Sequence, residues 1–155
     1  ANPELKLHIA HFTDIQTEIL EKCPERFRVI VMRRMMMRIA CEWAAKLGSH
    51  AIFTGENIGQ VASQTLESLR AIEDVADLPI LRPLICFNKV EIIEIARSIG
   101  TYDISCQPYE DCCTVFVPRH PVTRPKLGDV RDAEKLLDVP TLTAACVAKI
   151  EEHGF

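Results

Sequence analysis

The chain has 155 residues, of which 48% are hydrophobic and 26% charged, with a formal net charge of −4. Such a composition belongs to one ordinary globular domain that buries roughly 70% of its unfolded surface, and it excludes disordered and fibrous chains. The acidic balance gives no overall sign of nucleic-acid binding, so RNA contact has to come from a local patch or from another domain.

In chain order, Leu5, Leu7 and Ile9 alternate with Lys6, His8 and Ala10, the period-two pattern of a strand. The sequence does not begin with Met and reaches this strand almost at once, as expected of a piece of a longer protein. Thr13 and Gln16 form a capping-box pattern that opens a short helix through Ile15, Ile19 and Leu20, and Pro24 closes it. Val29-Ile30-Val31 suits a short strand or a helix start, and the helical pattern beyond it favours the helix. In that helix Met36, Ile39, Ala40, Trp43 and Leu47 make the apolar stripe. Arg34, Arg38, Glu42 and Lys46 make a solvated ladder with ion-pair spacing, and Gly48 ends the helix. Arg33 falls in the middle of the apolar face, so it requires a buried partner or a pocket for its head.

The stretch TGENIGQVASQT, residues 54–65, follows the apolar run Ala51-Ile52-Phe53. It reads as a buried strand that runs through a Gly-containing turn into a helix. In open α/β sheets ligands gather at such strand ends and helix starts. Gly55 permits close approach of backbone to a ligand, or a positive φ. Val61, Thr65, Leu69 and Ile72 share one side of the helix, Ser63 and Glu67 lie opposite, and Gln64 falls at the edge of the buried face. Residues 80–85 read as a further strand, bent or unpaired at Pro83. Asn88 with Glu91 caps a helix whose apolar face is Ile92, Ile93, Ala96 and Ile99, and Gly100 ends it. Strands alternating with helices predict a mainly parallel sheet covered on both faces.

Residues 101–128 carry Pro108, Pro118, Pro121 and Pro125, the pair Cys112-Cys113, and the basic residues Arg119, His120, Arg124 and Lys126. They predict an irregular Cys/Pro/basic segment, of the kind that is functional or mobile. Two closing helices are predicted within 129–155, over 129–137 and 141–153. The seven cysteines are an odd set without a CxxC pair. They predict neither a zinc site nor a disulfide framework, and they suit a reducing cytosol. Cys23, Cys41, Cys86 and Cys146 lie on regular patterns and are expected in the core. No apolar run reaches a membrane span and no signal peptide opens the chain, so a cytoplasmic protein without a membrane partner is expected.

TGENIGQVASQT, with MRRMMMRIA before it and RPL, YEDCCTVFVPRHPVT and RPKL after it, resembles the PP-loop domain of the tRNA 4-thiouridine synthetase family. The family is also named for a thiamine-biosynthesis sulfurtransferase. The similarity runs over residues 5–142. It implies an α/β fold, part of an adenine nucleotide alpha hydrolase-like (PP-loop, Rossmann-like) three-layer sandwich, with residues 1–155 as one truncated domain. The family's Ser-Gly-Gly-x-Asp-Ser phosphate-binding loop is absent, and no two glycines are adjacent. That loop, with the ferredoxin-like and THUMP domains that hold tRNA, is expected upstream, so this piece alone is expected to be inactive.

The resemblance implies an ATP-dependent enzyme, used with magnesium (Mg2+), that adenylates uridine in tRNA. A cysteine desulfurase partner supplies persulfide sulfur, giving 4-thiouridine, and the protein also feeds sulfur to the thiamine thiazole. Relatives pair as homodimers. Arg33, Gly55 and Gln64 match the family's ATP-binding positions. Taken without the resemblance, Gly55 is a turn glycine, Gln64 a solvated amide and Arg33 half of a buried ion pair. Cys112, with Cys113 second, matches the cysteine block linked to sulfur handling, and Arg119 or His120 would favour its thiolate. Arg119, His120, Arg124 and Lys126 are expected at RNA phosphates or a partner, or simply in solvent. Glu56, Asn57 and Gln60 are candidates to orient a phosphate or metal. Another PP-loop ligase, such as an NAD synthetase-like enzyme, and a non-catalytic dimerisation or interaction fragment are the alternatives.

Overall fold

A computed structural model describes residues 5–59, 64–108 and 122–154. Its spine is helix α2, Arg28–Lys46, entered through a 3-10 turn at Glu25–Phe27 after α1, Thr13–Lys22. No Gly or Pro interrupts α2, and it ends at Gly48, whose φ of 68° is the left-handed conformation that favours glycine. Ile30, Val31, Met35, Ile39, Cys41 and Ala44 are all buried, so most of the helix's girth is covered rather than one stripe. Val29-Ile30-Val31 is helical, as the pattern favoured.

Helices α3 (Leu66–Glu73), α6 (Leu127–Glu134) and α7 (Val139–Ala148) pack around α2 together with α1. Ile15, Ile19, Phe27, Ile72, Val130 and Val147 complete the core. This crowding corrects the predicted stripe. Met36 and Leu47 are exposed, whereas Arg34 of the supposed solvated ladder is only 2% exposed. The ladder's other half, Glu42 with Lys46, does lie in solvent at 3.8 Å. Helical spacing identified the faces but not which of them the later elements would cover.

Two small sheets flank the helices. Strand β1, Lys6–Ile9, pairs antiparallel with β4, Glu151–Gly154, in the register Leu7↔His153 and His8↔Glu152. The predicted helix over 141–153 is therefore two elements: α7 stops at Ala148 and the chain turns into β4. Lys6 meets Glu152 at 2.6 Å and His11 meets Glu151 at 2.7 Å, contacts that come from pairing and not from the strand propensity of Glu-Glu-His-Gly. Thr13 is also corrected: it is the first residue of α1, Phe12 holds the cap position without a side-chain bond, and Gln16 is buried.

The second sheet is parallel, β2 (Ile52–Phe53) beside β3 (Ile80–Leu81), with Ile52↔Ile80 and Phe53↔Leu81. Pairing ends at Leu81 because Arg82 and Pro83 enter turns closed by Ile85 N to Arg82 O and Phe87 N to Leu84 O. The predicted strand over 80–85 is thus shorter. Ile52 is half-buried, but Phe53 is 71% exposed, so β2 is not the buried strand expected. Among the described residues one parallel and one antiparallel pair stand where a mainly parallel sheet was predicted.

Helix α4, Lys89–Ser98, begins on the predicted box: Asn88 Oδ1 accepts from the amides of Val90 and Glu91, and Glu91 returns a carboxylate to Asn88 N–H at 2.6 Å. Its face of Ile92, Ile93 and Ala96 is half-covered and Ile99 is exposed. Residues 101–128 are not irregular throughout, since they hold α5, Tyr102–Ser105, and the start of α6.

A charge network fastens α3 and α6 to the spine. Arg34 grips Glu134 with Nε at 3.1 Å and Nη2 at 2.8 Å, and its Nη1 reaches the Ala71 carbonyl and Asp74. Arg38 adds a bond to Glu134 at 2.7 Å, and Arg131 binds Asp74 at 2.6 Å. Burial pushes the Glu134 carboxyl up, but Arg34 and Arg38 outweigh it and hold the group below its ordinary 4.5. The Arg131 bond, joined by Arg34, holds Asp74 below 3.8 against its own burial.

Arg34→Met leaves both carboxylates without their buried partner, and urea unfolding should register a loss of about 3–5 kcal/mol. Since both folded carboxyls titrate below their unfolded values, their contribution is complete above about pH 4.5 and is lost as pH falls through the folded values. Acid unfolding profiles of Glu134→Gln should be flatter below pH 4.5 than those of the wild type.

Candidate functional site

The two parallel strands deliver their carboxyl ends to one place. β2 continues into Thr54, Gly55, Glu56 and Asn57, and β3 into Arg82. Arg33 arrives from α2. Glu56 stands between the two arginines and is 5% exposed. Its Oε1 accepts from Arg33 Nη2, and its Oε2 accepts from Arg82 Nε at 2.7 Å and from the Thr54 hydroxyl at 3.0 Å. Arg82 also reaches Glu73 at the end of α3, at 2.9 Å. Burial works against the charge of Arg82, but the bonds to Glu56 and Glu73 prevail and raise its pKa. The buried partner that Arg33 required is therefore Glu56.

This loop is stitched to the turn after β3. Asn57 donates its amide to the Leu84 carbonyl at 2.8 Å and to that of Phe87, and Ile58 N–H bonds Ile85 O at 3.2 Å. Both Glu56 oxygens and the Asn57 side-chain NH2 are thus engaged within the protein. Gln60 lies outside the described residues. Gly55 does not have positive φ, and a Cβ there would meet nothing within 4 Å. No packing atom of the described chain demands glycine at this position.

Gln64 sits in a short turn before α3, not on the helix as the pattern predicted, and its backbone carbonyl accepts from Gly59 N–H at 3.0 Å. Its Oε1 is buried and has no hydrogen-bond partner among the described residues. Thr65 caps α3 by accepting from Ser68 N–H, and its hydroxyl donates to Thr123 O at 2.6 Å. Leu69 and Ile72 are buried and Glu67 is exposed, as the helical pattern indicated, while Val61 and Ser63 lie outside the described residues.

Arg33, Gly55 and Gln64 thus flank one strand–turn–helix. Cys112, Cys113, Arg119 and His120 lie outside the described residues. Arg124 is exposed and 3.9 Å from Glu67, and Lys126 is exposed at the start of α6. The Thr123–Thr65 bond brings this segment to the beginning of α3, next to Gln64 in sequence. Cys23, Cys41 and Cys146 are buried, and burial pushes the Cys23 and Cys146 thiols up. Cys86 is exposed, contrary to expectation, because it lies in the turn after β3 and not in a strand. Among the described residues no three His, Cys, Asp or Glu side chains gather as a metal site, and no helix is long and apolar enough to cross a membrane.

The sequence reading undervalued Glu56 and missed Arg82. A signal existed for both: a carboxylate after a strand and an arginine before a proline at the next strand's end occupy the positions where a parallel pair presents side chains to a ligand.

The family model "Thiamine biosynthesis protein (ThiI)" matches residues 1–139. The chain belongs to the ThiI family. It is 58% identical over 147 residues to a probable tRNA sulfurtransferase of Moorella thermoacetica, covering 95% of this chain and 38% of that one. A probable tRNA sulfurtransferase of Caldanaerobacter subterraneus is 58% identical over 134 residues, covering 86% and 35%. The crystal structure of a 4-thiouridine synthetase–RNA complex with bound ATP superposes with a TM-score of 0.91 at 43% identity, over 97% of this chain and 39% of that one. That likeness establishes the α/β fold. The chain spans about two-fifths of the length of these ThiI relatives.

Asn57→Ala would take the side-chain donor from the Phe87 carbonyl and one of two donors from the Leu84 carbonyl, with an expected loss of about 1–3 kcal/mol. Hydrogen exchange should show faster opening at Ile85 and Phe87, whose amides close that turn, than at core amides of α2.

Proposed function

We propose that this chain is the C-terminal part of the PP-loop domain of an ATP-dependent tRNA sulfurtransferase, with the phosphate loop and the tRNA-holding domains upstream. In the whole protein a uridine carbonyl oxygen of tRNA is adenylated, which releases pyrophosphate. The terminal sulfur of a protein persulfide then attacks that carbonyl carbon and displaces AMP. A second thiol cleaves the S–S bond of the adduct, leaving 4-thiouridine and a protein disulfide that a cellular thiol reductant reopens. The sulfur comes from a cysteine desulfurase, and the same supply serves the thiamine thiazole. The enzyme acts in the cytoplasm as a homodimer.

What carries this reading is the meeting of Arg33 and the open backbone at Gly55 at the carboxyl ends of two parallel strands, in a chain so similar to a synthetase with bound ATP. The residues suit a nucleotide. Arg33 supplies a guanidinium for phosphate charge, Gly55 lets backbone come close, and Gln64 Oε1 offers an acceptor to a hydroxyl or amino group. Magnesium would accompany the phosphates. Cys112, or Cys113 in its place, carries the sulfur, and Arg119, His120, Arg124 and Lys126 meet RNA phosphates or the partner. The family and its sulfurtransferase relatives favour this over an NAD synthetase-like ligase. An interaction module draws support from the exposed Phe53, Ile99 and Ile104.

Calorimetric titration of ATP with magnesium decides between them, using this chain and the chain extended upstream through its phosphate loop. The extended protein should bind, and Arg33→Ala should weaken it roughly 10- to 150-fold, the value of a charged hydrogen bond. Absence of binding by the extended protein would leave the interaction module as the better account. In the whole protein Cys112→Ser should abolish tRNA thiolation while ATP binding persists. Intact thiolation would remove Cys112 from the sulfur path.

A further inference from the structure

The described surface holds several candidates beyond the residues already assigned, and the strand-end charge cluster carries the argument furthest. Glu56 is a buried carboxylate that accepts three donors from three places: Arg33 on α2, Arg82 after β3, and Thr54 beside it. Here one carboxylate is shared by two guanidiniums. Glu73 offsets Arg82 from the solvent side, where its side chain is half exposed and its charge is screened. The two arginines are thereby fixed beside each other at the strand ends.

Arginine is long, and holding it in one rotamer costs side-chain entropy. A ligand that had to order Arg33 itself would bind more weakly by part of that cost. Arg33 keeps about a fifth of its side chain exposed. The Thr54 hydroxyl in turn fixes the orientation of the Glu56 carboxylate. From this geometry we infer that Glu56 is a positioning residue, which presents Arg33 and Arg82 as a preset guanidinium pair to the phosphates of a nucleotide at the ends of β2 and β3. The inference rests on the nucleotide reading above, and it assigns Glu56 and Arg82 a part in binding that Arg33, Gly55 and Gln64 alone do not fill.

The test compares ATP and adenosine binding by the full-length protein and its variants. Glu56→Gln keeps the size of the side chain but removes its charge and turns an N–H donor towards one guanidinium. It should weaken ATP about 5- to 20-fold and leave adenosine within about twofold, because only ATP has phosphates for the arginines to meet. In an Arg33→Ala background the same change should cost ATP binding less, since only the share that runs through Arg82 remains. Thr54→Ala, a milder change, should give a smaller loss of the same kind, also confined to ATP. Equal losses for ATP and adenosine, or additive losses in the double variant, would make Glu56 a merely structural residue and overturn the inference. So would unchanged ATP binding in Glu56→Gln. Failure of the wild-type protein to bind ATP would remove the nucleotide reading as well, which separates the two.

Discussion

A guanidinium buried in a helix has to be met by a carboxylate from another element, and α2 carries two such groups in succession. Arg33 and Arg34 point about 100° apart around the helix. Arg33 turns to the strand ends and is met by Glu56, while Arg34 turns to the helical side and is met by Glu134 and Asp74. Four elements are thereby tied to one helix turn: β2 and β3 through Glu56 and Arg82, and α3 and α6 through the second network. Such pairs contribute little net stability compared with apolar contacts, but the wrong packing of any partner leaves a charge buried alone. Two adjacent arginines therefore specify which neighbours α2 accepts and in what position.

The site inherits its rigidity from this arrangement. The 54–58 loop has little regular structure, yet Asn57 fastens it to the turn after β3 and Glu56 fastens it to α2 and Arg82. Each bond uses a donor or acceptor that would otherwise be buried unpaired. Gly55 alone in this loop has neither a special φ nor a neighbour that excludes a side chain. A Cβ there would meet open space, as it would at the chain's other glycines.

Local signals in the sequence survived folding where the chemistry was itself local. The Asn88–Glu91 box and the terminating glycines at 48 and 100 depend on bonds within a few residues, and all of them appear. Arg33 was legible for a different reason, since its misfit on an apolar face announced a distant partner without naming it. Tertiary contacts decided the rest. Arg34 shows the same four-residue spacing as any solvated ladder, and only the arrival of α6, a hundred positions later, buries it. Nothing in Glu-Glu-His-Gly favours a strand, and β4 exists because β1 offers it an edge. Capping at Thr13 failed because α1 starts one residue earlier than the motif required. The parallel sheet was legible in kind but not in extent, as only two residues of each strand pair before Pro83 and the polar turn intervene.

For an acidic chain, the proposed binding of a polyanion needs an explanation, and it lies at the strand ends. The formal charge of −4 is spread over the surface, where charges more than about 8–10 Å apart are screened at physiological ionic strength. Inside the cluster the effective dielectric is lower, and a charge pair at 4 Å interacts by about 4 kcal/mol, several times its value in water. For a phosphate placed beside them, the guanidiniums and carboxylates of this cluster therefore count for more than the distant acidic residues. Net charge reports on solubility and on non-specific association. What a small anionic ligand meets is set by which few charges lie within its own screening length, and at the strand ends those include Arg33 and Arg82 with the carboxylates Glu56 and Glu73 that hold them.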